Sequence, residues 1–129
     1  EPASAVALMR ARYSAFATGD VAYLWRTLDA SHADRARPRD DVWRTLKDTC
    51  RRVRFLGLRV LDDAPADAAG VARVLFSVRA FEKGRDRSFH ELSRFRHDGA
   101  GWRYLDGEPR DGAARDGLTI ASFARDDGA

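Results

Sequence analysis

Residues 88–107, SFHELSRFRHDGAGWRYLDG, decide the fold because they contain two strand patterns joined by a turn. Side-chain alternation places one set of residues of the first arm on a single face: Phe89, Glu91, Ser93 and Phe95. The turn Asp98–Gly101 tolerates positive φ, and the return arm continues that face with Trp102, Tyr104 and Asp106. This face is mostly aromatic but carries acids, and a buried carboxylate must be paired, hydrogen-bonded, protonated or open to a wet cavity.

Two further strands are predicted upstream of this hairpin. VRFLGLRVL (residues 53–61) is rich in β-branched and large apolar residues, and DDAPADAAG (residues 62–70) is a loop signal. Residues 71–82 alternate, and their apolar face holds Ala72, Val74, Phe76, Val78 and Ala80. Lys83–Asp86 predicts a tight turn into the hairpin. The last three strands should therefore form an antiparallel meander.

The first half of the chain predicts helices. Ser4 can cap a first helix with an apolar stripe, and Gly19 can end it. Asp20 can cap a second helix. Residues 29–39, DASHADRARPR, form a polar connection, and Asp40 or Asp41 can cap a third helix that contains Val42, Trp43, Leu46 and Cys50. Helices followed by strands indicate an α+β fold, with the helices packed on one face of a curved antiparallel sheet.

The length and composition indicate one α+β domain over residues 1–108. The 129 residues are 44% hydrophobic, which is enough for a core. Residues 109–129 are rich in Gly, Asp and Arg, with one apolar cluster at Leu118–Phe123. They predict a tail that adds a short edge strand or stays disordered.

The same composition bears on the compartment and on cofactors. No apolar run is long enough for a membrane span and no signal-peptide pattern opens the chain, so we expect a cytoplasmic protein without a membrane partner. The single Cys50 excludes an internal disulfide, and its surroundings predict an inert thiol. The three histidines, His32, His90 and His97, have no metal-ligand spacing, so we expect no metal and no cofactor.

Two stretches resemble a known family. Residues 2–27, PASAVALMRARYSAFATGDVAYLWRT, and residues 90–107, HELSRFRHDGAGWRYLDG, together look like the central domain of the bacterial YchJ-type family. The likeness spans roughly residues 2–108. It implies a cone-shaped α+β domain, similar to nuclear transport factor 2 and ketosteroid isomerase, that encloses a cavity between the helices and the concave sheet.

The sequence also departs from that family. Members usually carry cysteine-rich, zinc-binding SEC-C motifs beside this domain, and this sequence has none; a zinc-binding segment before Glu1 would supply one. The family tends to have Trp-His-Pro after the second helix, where this chain has Leu28-Asp29-Ala30. No role of that histidine carries over, and the resemblance implies no established activity.

The acids of the hairpin have two interpretations. In a catalytic one, Glu91 or Asp106 is a general base, and Tyr104 or Tyr13 polarises the substrate. In a structural one, which we prefer, Glu91 forms an ion pair with Arg12, or with Arg10, that ties the first helix to the sheet. Asp106 then caps the turn at Gly107.

Aromatic residues extend the list of pocket candidates. A ligand pocket would be lined by Tyr13, Trp25, Glu91, Ser93, Trp102 and Tyr104, although Trp25, Trp43 and Trp102 have spacings typical of core residues. His90 lies on the polar strand face with Arg94 and Arg96. That face could be solvated, or it could meet an acidic partner or a phosphate backbone.

Three classes of function fit the sequence. We rank first a noncatalytic domain that binds a small ligand or a protein, because no convincing catalytic set is present; a homodimer through the outer sheet face belongs to this class. The alternative is a small isomerase, dehydratase or hydrolase with a carboxylate base in the cavity. A nucleic-acid-associated module is the third, and the distribution of 23 basic residues among 20 acids argues against it.

Overall fold

The first two helices begin and end at the residues that their caps predict. The computed structural model describes residues 1–125. Helix α1 (Ala5–Thr18) starts at Ser4, whose hydroxyl oxygen accepts the Ala7 backbone N–H at 3.1 Å, and ends at Gly19 with φ of 79°. Helix α2 (Val21–Arg26) starts at Asp20, whose carboxylate accepts the Tyr23 N–H at 3.1 Å.

The third helix begins earlier than predicted. A 3-10 helix (Ala33–Ala36) precedes helix α3 (Arg39–Arg52), which starts after Pro38 without a side-chain cap. The expectation that Asp40 or Asp41 caps this helix is therefore wrong. Proline presets the backbone for a helix start, and the two aspartates lie in the first turn, where the helix dipole favours negative charge.

The strands form one antiparallel sheet. They are β1 (Arg54–Ala64), β2 (Val71–Glu82), β3 (Arg85–Asp86), β4 (Phe89–His97) and β5 (Trp102–Asp111), in the order β1-β2-β4-β5, with the short β3 paired to the end of β2. Lys83 and Gly84 have φ of 51° and 75°, as a two-residue hairpin turn requires. The meander and the α+β class predicted from the sequence are confirmed.

The main core lies between helix α1 and the concave face of the sheet. Leu8 and Met9 of α1 are buried against the predicted apolar face of β2 and against Phe95 of β4. The segment after α2 closes the edge of β5, where backbone hydrogen bonds join Thr27 and Asp29 to Tyr104. The concave face is thereby enclosed by α1, by this segment and by α3.

The C-terminal segment covers part of the outer sheet face. Helix α4 (Ile120–Arg125) follows β5, and Leu118 and Phe123 pack with Leu75 in a second apolar cluster. The prediction of an edge strand or disorder for Leu118–Phe123 is therefore wrong, because Leu75 and Leu92 of the outer face offer an apolar surface that a short helix can bury. Residues 126–129 of the predicted tail lie outside the described residues.

Helix length and polarity bear on membrane insertion. Within residues 1–125, each helix is too short or too polar to cross a bilayer.

Candidate functional site

A cavity of 390 Å³ separates helices α1 and α3 from the concave sheet. Its walls are mostly apolar, and six of the lining residues are Phe16, Leu28, Phe55, Phe76, Val78 and Phe89. The N-terminal half of α1 packs directly on the sheet, and the C-terminal half of the same helix faces the cavity. Both the helices and the sheet therefore line it. A cavity of this size with an apolar wall is typical of a small-molecule site.

The polar end of the cavity is built on strands β4 and β5. Alternation along β4 brings Glu91 and Ser93 to the concave face, and Tyr104 projects beside them from β5. The Ser93 hydroxyl donates a hydrogen bond to Glu91 Oε2, and the Tyr104 hydroxyl donates to the same oxygen at 3.0 Å. Burial, with the charge of Glu91 and its hydrogen bond next, raises the pKa of Tyr104 far above its ordinary value.

Arg12 does not form the predicted ion pair with Glu91. Its Nη1 donates to the Leu24 carbonyl oxygen at 2.9 Å and to Thr27 Oγ1 at 2.7 Å, and its guanidinium carbon lies 4.6 Å from the centre of the Tyr104 ring. The prediction of an Arg12–Glu91 ion pair is wrong, because Tyr104 lies between the two groups. Burial lowers the pKa of Arg12 to about 10, so it stays charged at neutral pH. The alternative partner, Arg10, is exposed.

His32 belongs to the site and was missed by the sequence analysis. Its Nδ1 accepts the Asp34 backbone N–H at 3.0 Å, and its ring lies 5.5 Å from the ring of Tyr104. Burial lowers the pKa of His32, which favours the neutral ring, and because Nδ1 accepts a hydrogen bond the proton of that ring lies on Nε2. The only sequence signal was a His two residues before an Asp in a polar loop, which predicts a cap and not a pocket residue.

Asp106 lies away from the cavity, contrary to the expected alternation. A register shift in the β4–β5 ladder pairs Phe95 with Tyr104 but Arg94 with Asp106, so Leu105 is the extra residue of a bulge. Arg94 binds the Asp106 carboxylate through two hydrogen bonds of 2.8 and 2.6 Å, and these lower the pKa of Asp106. Asp106 therefore neither lines the cavity nor caps the turn at Gly107.

The tryptophan candidates lie outside the cavity, whereas Tyr13 lines it. Trp25 faces the Arg35 guanidinium, whose carbon is 4.5 Å from its ring centre, and Trp43 faces Arg39 in the same way at 4.3 Å. Trp102 packs edge-on against His97 at the hairpin end of β5, with 5.6 Å between ring centres. The prediction that Trp25 and Trp102 line the pocket is therefore wrong.

Other reactive groups of the described chain lie apart from one another. Across residues 1–125, the His, Cys, Asp and Glu side chains do not gather in groups of three that could hold a metal ion. Burial raises the pKa of the half-buried Cys50 thiol, which disfavours the reactive thiolate. His90 packs against Phe123 of α4 on the outer face, with 6.2 Å between ring centres.

The family model for the "YchJ, middle NTF2-like domain" matches residues 4–107. The chain belongs to this family. It is 38% identical over 118 residues to a UPF0225 protein of Cupriavidus metallidurans, an alignment that covers 87% of this chain and 76% of the relative. It is also 38% identical over 105 residues to a UPF0225 protein of Streptomyces coelicolor, covering 81% and 74% of the two chains. The resemblance found in the sequence is confirmed.

A solved structure agrees with the fold of this YchJ middle domain. The crystal structure of a SEC-C-motif-containing protein from Psychrobacter arcticus aligns with a TM-score of 0.69 and 23% identity. The alignment covers 88% of this chain and 65% of that protein, so this chain spans about two thirds of that length. At this identity the likeness establishes the α+β fold alone.

The family match coincides with the cavity. Residues from Arg12 to Tyr104 that build its polar end all lie within the matched range 4–107. Helix α4, which covers the outer sheet face, follows that range. The polar end of the cavity therefore lies within the matched part of this chain, whereas α4 lies outside it.

Proposed function

We propose that this YchJ middle domain binds a small organic molecule in the cavity between its helices and its sheet. One observation carries the proposal: an apolar cavity of 390 Å³ ends at a carboxylate, Glu91, one oxygen of which has no hydrogen-bond partner within residues 1–125. Apolar walls supply binding free energy, and a few placed polar groups fix the orientation of a ligand.

The hydrogen bonds of the site favour binding over catalysis. The Tyr104 hydroxyl donates its hydrogen bond to Glu91, so it is not free to polarise a substrate carbonyl. Glu91 Oε2 also accepts a hydrogen bond from the Ser93 hydroxyl, so two side chains of the protein already occupy this carboxylate oxygen. The isomerase, dehydratase or hydrolase alternative would need both groups released from each other.

A matched pair of tryptophan substitutions tests the proposal. Leu46 of α3 is half-buried and lines the cavity, whereas Leu56 of β1 is 53% exposed and does not. We expect Leu46→Trp to fill the cavity and to abolish ligand binding, and Leu56→Trp to bind as the unsubstituted protein does. The probes are four naphthalenes with the same ring position substituted: naphthylacetamide, naphthylacetate, naphthylethylamine and ethylnaphthalene.

Binding is measured by isothermal titration calorimetry, with thermal unfolding as a second readout because a ligand of the folded state raises the melting temperature. Circular dichroism checks that both variants fold. Failure of all four probes to bind, or equal binding by Leu46→Trp and the unsubstituted protein, would contradict the proposed function.

A further inference from the structure

We infer that the cavity selects a ligand whose polar head both accepts and donates hydrogen bonds, of the primary carboxamide class. This inference rests on the proposed function. Its evidence is the state of two charged side chains at the polar end, Arg12 and Glu91, each of which is only partly satisfied by the described residues of the protein.

Arg12 supplies unused donors. The residue is 8% exposed and lines the cavity, and both of its hydrogen bonds leave from Nη1. Within residues 1–125, Nε and Nη2 have no hydrogen-bond acceptor. Neither atom is fully enclosed by the described residues, so a ligand oxygen at this point would gain a charge-assisted hydrogen bond.

Glu91 supplies an unused acceptor. The hydroxyl groups of Ser93 and Tyr104 both donate to Oε2, and in the described part of the chain nothing donates to Oε1. Because Glu91 also lines the cavity, a ligand N–H or O–H group can reach a carboxylate oxygen that these residues leave open. The site therefore offers one acceptor and at least one donor.

The opposite charges of these groups select the head. The Tyr104 ring lies against Arg12 and its hydroxyl binds Glu91, so a ligand head beside Tyr104 is exposed to both charges. A carboxylate head would satisfy Arg12 but repel Glu91, and an ammonium head would satisfy Glu91 but repel Arg12. A carboxamide accepts from Arg12 with its oxygen, donates to Glu91 with its NH₂ group, and adds no charge.

The four naphthalene probes separate these possibilities because they share one apolar body. Naphthylacetamide accepts and donates, naphthylacetate only accepts, naphthylethylamine only donates, and ethylnaphthalene does neither. We expect the protein to bind naphthylacetamide about tenfold or more tightly than each of the other three, since each of them leaves a charged group unpaired.

Glu91→Gln provides a second test, because it exchanges the open acceptor for a donor. The Ser93 and Tyr104 hydroxyl groups then donate to the amide oxygen, and the amide NH₂ faces the ligand. We expect the preference to move from naphthylacetamide to naphthylacetate, because the new amide and Arg12 can then both donate to the carboxylate. Glu108→Gln is the matched control, because Glu108 is exposed on the same sheet and pairs with Arg110.

The outcomes distinguish this inference from the proposed function. Binding that Leu46→Trp abolishes, but that is strongest for the amine, the acid or the hydrocarbon, overturns the inference and keeps the proposed function. An unchanged preference in a folded Glu91→Gln protein also overturns it. If Glu91→Gln does not fold, the order of the four probes on the unsubstituted protein decides alone.

Discussion

Gly107 is the residue on which the polar end of the cavity depends most closely. It lies opposite Ser93 in the sheet, and a Cβ there would overlap the Glu91 carboxylate and lie 2.6 Å from the Tyr104 hydroxyl oxygen. We expect Gly107→Ala to break the Tyr104–Glu91 hydrogen bond and to lower the free energy of unfolding by about 1–3 kcal/mol. Urea denaturation measures the change.

The control for this substitution is Gly57→Ala. Gly57 also lies in a strand, and a Cβ there has no atom within 4 Å. Its unfolding free energy should change little. An equal loss in the two variants would mean that the cost at Gly107 arises from the strand backbone and not from contact with Glu91 and Tyr104.

At this scale, alternation predicted part of the site. Glu91 and Ser93 share a face because successive side chains of a strand point to opposite sides, which is a property of the backbone alone. The same argument gave the wrong face for Asp106, because a single extra residue, Leu105, reverses the alternation. No residue type in the sequence signals this bulge. The direction of Arg12 depends on the Leu24 carbonyl and Thr27, which only the packing of α2 on α1 brings near.

Among the elements, helix α4 depends on one aromatic side chain. Phe123 is 1% exposed, and the Arg110 guanidinium carbon lies 3.6 Å from its ring centre. A six-residue helix is not stable by itself, so its packing must hold it in place. We expect Phe123→Ala to lower the unfolding free energy by about 3 kcal/mol.

Chemical denaturation of Phe123→Ala, with Leu56→Ala as the exposed apolar control, measures this contribution. The control should lose little because Leu56 remains in contact with solvent in the folded protein. Similar losses in the two variants would show that α4 does not stabilise the sheet.

The elements differ in how well the sequence predicts them. Helices α1 and α2 and strand β2 were predicted because each has a local signal, a cap or a sustained period. Helix α4 has six residues in a segment rich in Gly, Asp and Arg, which is too short to show a helical period. Its existence depends on Leu75 and Leu92, which are distant in sequence, so local patterns do not reveal it.

For the whole molecule, charge pairing explains why the basic composition does not create a basic face at the row of arginines on β4. Arg94 pairs with Asp106, and Arg96 donates to the buried Asp29 at 2.8 Å. Within residues 1–125, hydrogen bonds and nearby arginines lower the pKa of seven carboxyl groups, those of Glu1, Asp29, Asp48, Asp67, Asp86, Asp98 and Asp106. The free energy of unfolding should therefore depend on pH.

These lowered pKa values determine whether acid raises or lowers the free energy of unfolding. A carboxyl group whose pKa is lowered by folding binds fewer protons in the folded chain than in the unfolded chain as the pH falls below about 5. Its contribution to stability is complete above the unfolded pKa and is lost as the pH falls through the folded pKa. The free energy of unfolding should therefore decrease steadily from about pH 5 to about pH 2.

Asp29 should contribute to this decrease although it is 3% exposed, because its burial, which raises its pKa, is outweighed by hydrogen bonds from Ser31 and Arg96. We expect Asp29→Asn to cost about 2 kcal/mol at pH 7 and little near pH 2, where both side chains are neutral. Urea denaturation at several pH values measures this, with the exposed Asp63→Asn as control. A cost that is the same at both pH values would show that Asp29 stabilises by shape alone and not by its charge.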